Sequence, residues 1–416
     1  MKKALVFTWR IFKRTLKILF ITIILLLATL LTEHYFSTDL PTPTGSFSVG
    51  RTTLLINGKL PKEDLSRKVF AWIWYPSSTK TGLREKYFTE EWLQAFNNSI
   101  SFIGRYLITR DLGRVHPHSF HEPNVSPAFA RYPILLFRGG LSALSPEYTS
   151  LCENWASHGY IVIGLDAPFL SRVFVGADNR VVERSNENNP DISGSTMENL
   201  NEMTPRMAGE WANIAMITLN YLDSLSQISN ANQWSGRLDL NKVAMIGHSL
   251  GGAAALQFCI QDARCKAAID IDGLVTPAVA ANGLQKPVLF LMGEHPKSEL
   301  EDPVNMKINE DIQLAIQNTP AALVSRIDLP NANHFNFSDG AVTKNHLLMM
   351  LLRLFGVVKI NPVKQLETTG KITLQFLDQK LGTNTTQIKL RKLKRPITAK
   401  YPQAAFQRFV DRKLKF

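Results

Sequence analysis

One segment constrains this chain more than any other: Lys242-Val243-Ala244-Met245-Ile246-Gly247-His248-Ser249-Leu250-Gly251-Gly252-Ala253. An apolar run leads into G-x-S-x-G, and small residues follow. A serine on a tight strand-to-helix turn lifts its hydroxyl clear of the backbone only if its neighbours lack bulk. Gly247 and Gly251 meet that need, and Gly252, Ala253 and Ala254 let the following helix lie close to a sheet. The helix N-terminus favours negative charge where a tetrahedral oxyanion would form. Ser249 is therefore the expected nucleophile, at the end of a central strand.

The rest of the chain offers the sheet. Strand-like runs at 69–75, 134–137, 160–165, 242–246, 267–271, 287–292 and 323–329 alternate with amphipathic stretches at 148–157, 206–226, 253–261 and 310–317. Several runs are almost continuously apolar, as strands are when helices cover both sheet faces. The expected class is α/β, an α/β-hydrolase fold with a mainly parallel sheet and an added N-terminal hydrophobic helix. Residues 50–381 form the expected hydrolase domain, after a segment at 1–36 and a Pro/Thr/Ser-rich linker at 37–49, and before a basic extension at 382–416.

A serine nucleophile needs a base, an acid to orient it and donors for the oxyanion. In this fold the acid follows the serine and the histidine follows the last strand. Of nine histidines, His334 in Leu329–Phe337 fits that position. His248 lies inside the serine motif and supports the turn, while His346 falls in an apolar helix. His116, His118 and His121 share a Pro-rich loop with no nearby carboxylate pattern, which reads as surface rather than metal site. Asp272 and Glu294 end the two strands after the serine helix, and spacing leaves either as the acid. The oxyanion donors expected are the amides of Leu250, after the serine, and Leu141, in the loop Arg138-Gly139-Gly140-Leu141.

Residues 66–381 resemble the platelet-activating factor acetylhydrolase type of α/β-hydrolase, including its bacterial esterase-like relatives. The resemblance lies in Trp74-Tyr75-Pro76, the Phe137–Leu141 loop, Ala156–Val162, Gly247–Gly252, Asp270–Gly273 and Asn333–Phe337. It implies that the acid directly follows the strand after the serine helix, which selects Asp272 over Glu294. It also implies hydrolysis of short or oxidised acyl esters, with phospholipid sn-2 acyl groups as one substrate class, and no metal or cofactor. An acyltransferase would use the same serine. A membrane-tethered binding protein that kept the fold without activity is the reading of a different class, and the intact Ser/His/Asp set argues against it. One departure stands out: the family's loop reads His-Gly after the strand, and here Arg138 adds a cation. With Gly140, Arg138 is a candidate contact for an anionic group on the substrate, the alternative being an ordinary solvated loop arginine.

The formal net charge of +12 invites a nucleic-acid partner until it is mapped. Residues 1–17 carry six basic side chains and no acid, and residues 387–416 carry ten against Asp411 alone, which leaves 18–386 at −3. A slightly acidic body disfavours nucleic acid. The front end reads as an export element: basic residues, an apolar stretch from Leu16 to Leu31, then Thr32-Glu33-His34. A retained anchor with a cytoplasmic N-terminus is the first reading, and a cleaved signal, giving a secreted or periplasmic protein, the second. The basic tail, with apolar residues interspersed, suits an anionic membrane surface. Cys259 and Cys265 are placed to bridge in an oxidising compartment, or else serve as small buried hydrophobes.

Overall fold

Runs rich in β-branched and aromatic residues pair side by side in the computed structural model, which describes residues 2–57, 68–185, 197–227, 233–295, 302–356, 358 and 361–382. The strands are β1 (Thr38–Asp39), β2 (Ser48–Ile56), β3 (Val69–Ser77), β4 (Val115–His116), β5 (Phe120–His121), β6 (Tyr132–Arg138), β7 (Ile161–Asp166), β8 (Val173–Val175), β9 (Val181–Glu183), β10 (Leu238–His248), β11 (Cys265–Ile271), β12 (Val288–Met292) and β13 (Val324–Asp328). The main sheet has nine strands in the order β13-β12-β11-β10-β6-β7-β3-β2-β5. All its pairings are parallel except β2 with β3 and β3 with β7.

The helices are α1 (Lys2–His34), α2 (Glu90–Asn98), α3 (Thr149–Ser157), α4 (Met197–Gln227), α5 (Leu250–Gln261), α6 (Pro277–Asn282), α7 (Pro303–Asn318), α8 (Gly340–Thr343), α9 (His346–Leu354) and α10 (Pro362–Leu381). They cover the sheet on both faces, so the alternate side chains of β6 and β10 enter two separate cores. Leu135, Phe137, Ala244 and Ile246 pack with Trp155 and Leu377, while Ile134, Leu136, Val243 and Met245 pack with Trp211 and Leu256. This is the α/β-hydrolase fold, with an apolar helix added at the N-terminus.

All seven expected strands are present, and β2 is an additional one. Its sequence, SVGRTTLLI, mixes polar and apolar residues because the strand lies near the sheet's edge. The Pro/Thr/Ser stretch before it is extended, but it is tied to the body. Gly45 N–H donates to Ser157 Oγ (2.9 Å), Phe47 N–H to the Ser157 carbonyl (3.0 Å), and Thr44 N–H to Asn154 Oδ1 (3.0 Å). The aromatic residues between β3 and β6 divide. Trp92 and Phe96 are buried, Trp92 against Trp72 with ring centroids 5.2 Å apart, whereas Phe102 is exposed. Cys259 and Cys265 form a disulfide from the last turn of α5 to the first residue of β11. The basic tail lies outside the described residues.

Candidate active site

The register of β10 sets the site. Gly247 lies opposite Arg138 of β6 on one side and Asp270 of β11 on the other, so the C-terminal ends of three strands meet around Ser249. Ser249 has φ 57° and ψ −125°, a region that costs a non-glycine residue about 1–3 kcal/mol. Backbone bonds hold it there: Ser249 N–H donates to the Ile271 carbonyl and Gly252 N–H to the Ser249 carbonyl, both at 2.9 Å. A Cβ on Gly247 would stand 1.8 Å from the Gly251 oxygen, and one on Gly251 would stand 2.2 Å from the Arg138 oxygen. The two glycines of the motif are thus steric requirements of the turn. Gly252 meets the same limit at the Asp270 carboxyl, which lies beneath α5. Burial pushes the Asp270 carboxyl well up, and neighbouring Asp272 adds to the rise, so its neutral form is favoured.

His334 opens a 3₁₀ turn, His334–Phe337. Its Nδ1 lies 2.7 Å from Asp272 Oδ2. Asp272 is itself at φ 48°, with its N–H donating to the Leu291 carbonyl (2.8 Å). Its Oδ1 accepts from Gly293 N–H (2.7 Å) and faces His295 Nε2 (3.1 Å). Burial alone would raise this carboxyl. Hydrogen bonds from His295 and His334, with their charges, outweigh burial and hold it far below the usual carboxylate range. Glu294, the other candidate acid, turns a carboxylate oxygen to the Asn331 amide, and the bond to the His334 imidazole is made by Asp272.

The loop after β6 closes over the turn. A Cβ on Gly140 would stand 3.4 Å from Ser249 Cβ, which puts this loop against the serine. Gly140 N–H donates to Tyr148 Oη (3.1 Å), and Tyr148 Oη lies 2.8 Å from His248 Nδ1. Burial pushes the His248 pKa down to about 3, aided by the nearby His334. His248 is therefore a neutral wedge, its ring 4.5 Å from that of His334.

Arg138 departs from the expectation of a substrate contact. It is 1% exposed. Its Nη1 donates to the Ala143 carbonyl (2.9 Å) and pairs with Asp166 Oδ1 (3.1 Å), and its Nη2 donates to the Gly140 and Leu141 carbonyls (3.3 and 3.2 Å). The guanidinium also lies 3.8 Å from the Trp211 ring centroid. A cation so committed shapes the loop from inside and leaves nothing for a substrate anion.

Three residues of this arrangement carry no signal in the sequence: Tyr148, His295 and Gln365. Gln365 of α10 clamps the histidine turn from behind, accepting from Asn333 N–H (3.0 Å) and donating to the Asn333 carbonyl (2.8 Å). His116, His118 and His121 go to separate partners: Asp39, the Leu40 carbonyl and Glu85. Chemically, an imidazole fixed through Nδ1 to a buried carboxylate keeps Nε2 for proton transfer. Next to a serine on a strained turn at a helix N-terminus, that suits acyl transfer.

Comparison with known proteins follows this geometry. The profile of the family described as platelet-activating factor acetylhydrolase, isoform II, matches residues 34–170 and 212–394. The platelet-activating factor acetylhydrolase of Cavia porcellus is 25% identical over 370 residues, covering 85% of this chain and 80% of the relative. An Arthroderma benhamiae protein named probable 1-alkyl-2-acetylglycerophosphocholine esterase is 27% identical over 212 residues, covering 50% of this chain and 48% of that protein. Among solved structures, a ferulic acid esterase from Streptomyces cinnamoneus superposes with a TM-score of 0.61 at 20% identity, covering 88% of this chain and 98% of that one. That likeness concerns the fold.

Proposed function

The chain belongs to the platelet-activating factor acetylhydrolase, isoform II, family, and on that premise we propose that it cleaves short-chain acyl esters, sn-2 acyl groups of phospholipids among them, through Ser249, His334 and Asp272. It is a carboxylic ester hydrolase. The observation that carries the assignment of residues is the 2.7 Å bond between His334 Nδ1 and buried Asp272.

The reaction follows from the geometry. Ser249 Oγ attacks the ester carbonyl while His334 Nε2 takes its proton, and the imidazolium so formed is stabilised by Asp272. The carbonyl oxygen becomes an oxyanion held by the amides of Leu141 and Leu250. His334 then protonates the departing alcohol, and water, deprotonated by the same imidazole, releases the acid from the acyl-enzyme. The names of the relatives support an acetyl or other short acyl group.

The placement that fits is on the exported side of a membrane, with α1 as the anchor, 50–381 as the catalytic domain and 382–416 as a basic extension. The helix segment Ile11–His34 is long and apolar enough to cross a bilayer, with a mean hydropathy of 2.4 over an 18-residue window. The Cys259–Cys265 disulfide supports an oxidising compartment.

A fluorophosphonate probe tests the reading directly. The purified full-length protein should be labelled on Ser249, and Ser249→Ala should lose both labelling and hydrolysis of p-nitrophenyl acetate. Full activity in Ser249→Ala would remove the serine from the mechanism.

A further inference from the structure

Most side chains described along α1 are exposed, and the buried ones cluster at its C-terminal end: Leu30, Glu33 and His34, the last at 4% exposure. A removable signal has no use for contacts there, yet this end is bonded into the catalytic domain. Glu33 Oε1 accepts from Arg110 Nη2 (2.8 Å) and His346 N–H (2.5 Å), and Glu33 Oε2 accepts from Leu347 N–H (2.9 Å). His34 Nδ1 meets the Thr109 carbonyl (2.9 Å), and the His34 carbonyl accepts from Asp111 N–H (2.8 Å). Asn345, fully buried, donates through Nδ2 to the Leu30 carbonyl (2.9 Å).

The target of Glu33 gives these contacts their meaning. His346 and Leu347 are the first two residues of α9, whose opening amides have no partner within the helix and favour an anion. The cap box is completed by Asn345, whose Oδ1 accepts from Leu348 N–H (3.3 Å). The start of α9 therefore depends on a carboxylate borrowed from α1. Upstream of α9, the chain returns through Thr343, whose carbonyl accepts from Arg110 N–H (2.8 Å), and through Asp339, whose N–H donates to the Glu147 carbonyl (2.7 Å), to the turn that carries His334. Phe36 and Met350, both exposed, line a hollow with Glu33, Arg110, His346 and Leu347, and Phe102, Ile103, Leu354 and Phe355 are exposed apolar side chains as well.

We propose that α1 is a retained membrane anchor whose last turn is an integral part of the catalytic domain, with Glu33 capping α9 and thereby positioning the segment that bears His334. The proposal rests on reading α1 as the membrane segment and His334 as the base, and retention of the N-terminus is read out independently of which residues perform the chemistry. Cleavage beyond residue 34, a few residues past the apolar stretch, would strip Glu33 and His34 from their partners. Arg110 would be left without its carboxylate, and α9 without its cap.

The test uses the full chain expressed from Met1 and extracted from membranes in detergent. Intact mass and N-terminal sequencing should place the start at Met1 or Lys2 in both the native protein and Ser249→Ala, a readout that needs no activity. A mature start after residue 34 would overturn the proposal. Glu33→Ala should lower Tm by several degrees and reduce kcat on p-nitrophenyl acetate about tenfold with KM within twofold, because the substrate contacts stay and the base is displaced. Glu33→Asp should recover part of kcat. Native Tm and kcat in Glu33→Ala would overturn the positioning role.

Discussion

Asp272 carries a histidine on each carboxylate oxygen: His334 Nδ1 on Oδ2 at 2.7 Å and His295 Nε2 on Oδ1 at 3.1 Å. Only one of them is needed for acyl transfer, so His295 acts through the carboxylate: with Gly293 N–H it holds Oδ1 and so fixes the plane in which Oδ2 meets His334. His295→Ala removes that bond and should lower kcat on p-nitrophenyl acetate about fivefold with KM little changed, the scale of one net hydrogen bond of about 1 kcal/mol. Native kcat in His295→Ala would take His295 out of the site.

The two candidate acids should separate by orders of magnitude. Asp272→Asn removes the charge that stabilises the imidazolium and offers His334 a mixed donor and acceptor in its place. A loss of about 10⁴ in kcat is the scale for such a change in a serine triad. Glu294→Gln disturbs the bond to the Asn331 amide and leaves the Asp272–His334 bond in place, and should keep kcat within a few-fold. Reversal of that order, measured on p-nitrophenyl acetate, would transfer the acid to Glu294.

How far the sequence led depends on whether a feature is local. The Ser249 turn was legible because steric crowding at Gly247 and Gly251 leaves a motif. The strands at 134–137, 242–246 and 287–292 were legible because burial on both faces leaves unbroken apolar runs. Arg138 was misjudged because its partner Asp166 lies 28 positions away, and a loop arginine looks solvated until the fold encloses it. Tyr148, Gln365 and the Glu33 cap share that character: each is a polar contact across elements distant in sequence, with no periodicity to betray it. The strand β2 escaped because a strand next to the edge, paired to its outer neighbour only at Gly50 and Arg51, tolerates polar residues.

Tyr148 links the loop to the serine turn through one oxygen. Tyr148→Phe keeps the ring between Phe137 and His248 but leaves the Gly140 amide and His248 Nδ1 without their partner. An unsatisfied buried donor costs about 1–3 kcal/mol. Since the same loop carries the Leu141 amide, the variant should lose stability on that scale and about tenfold in kcat, with KM changed little. A stable variant with native kcat would show that the oxyanion loop holds its shape without the tyrosine.

Asp339 gives the fold a pH dependence of predictable sign. It is fully buried, and burial pushes its carboxyl up to about 8, although Tyr87 Oη and Ser150 N–H donate to it. In the unfolded chain an aspartate titrates near 3.9. Between about pH 4 and pH 8 the folded state thus binds a proton that the unfolded state has lost, so this group's contribution to stability falls as pH rises, by up to about 1.4 kcal/mol per unit. Asp339→Asn cannot ionise and should abolish that slope. Urea denaturation at pH 5, 6.5 and 8 should show the variant gaining on the native protein at each step. Parallel stability curves for the two proteins would mean that Asp339 is already ionised in the fold at pH 5.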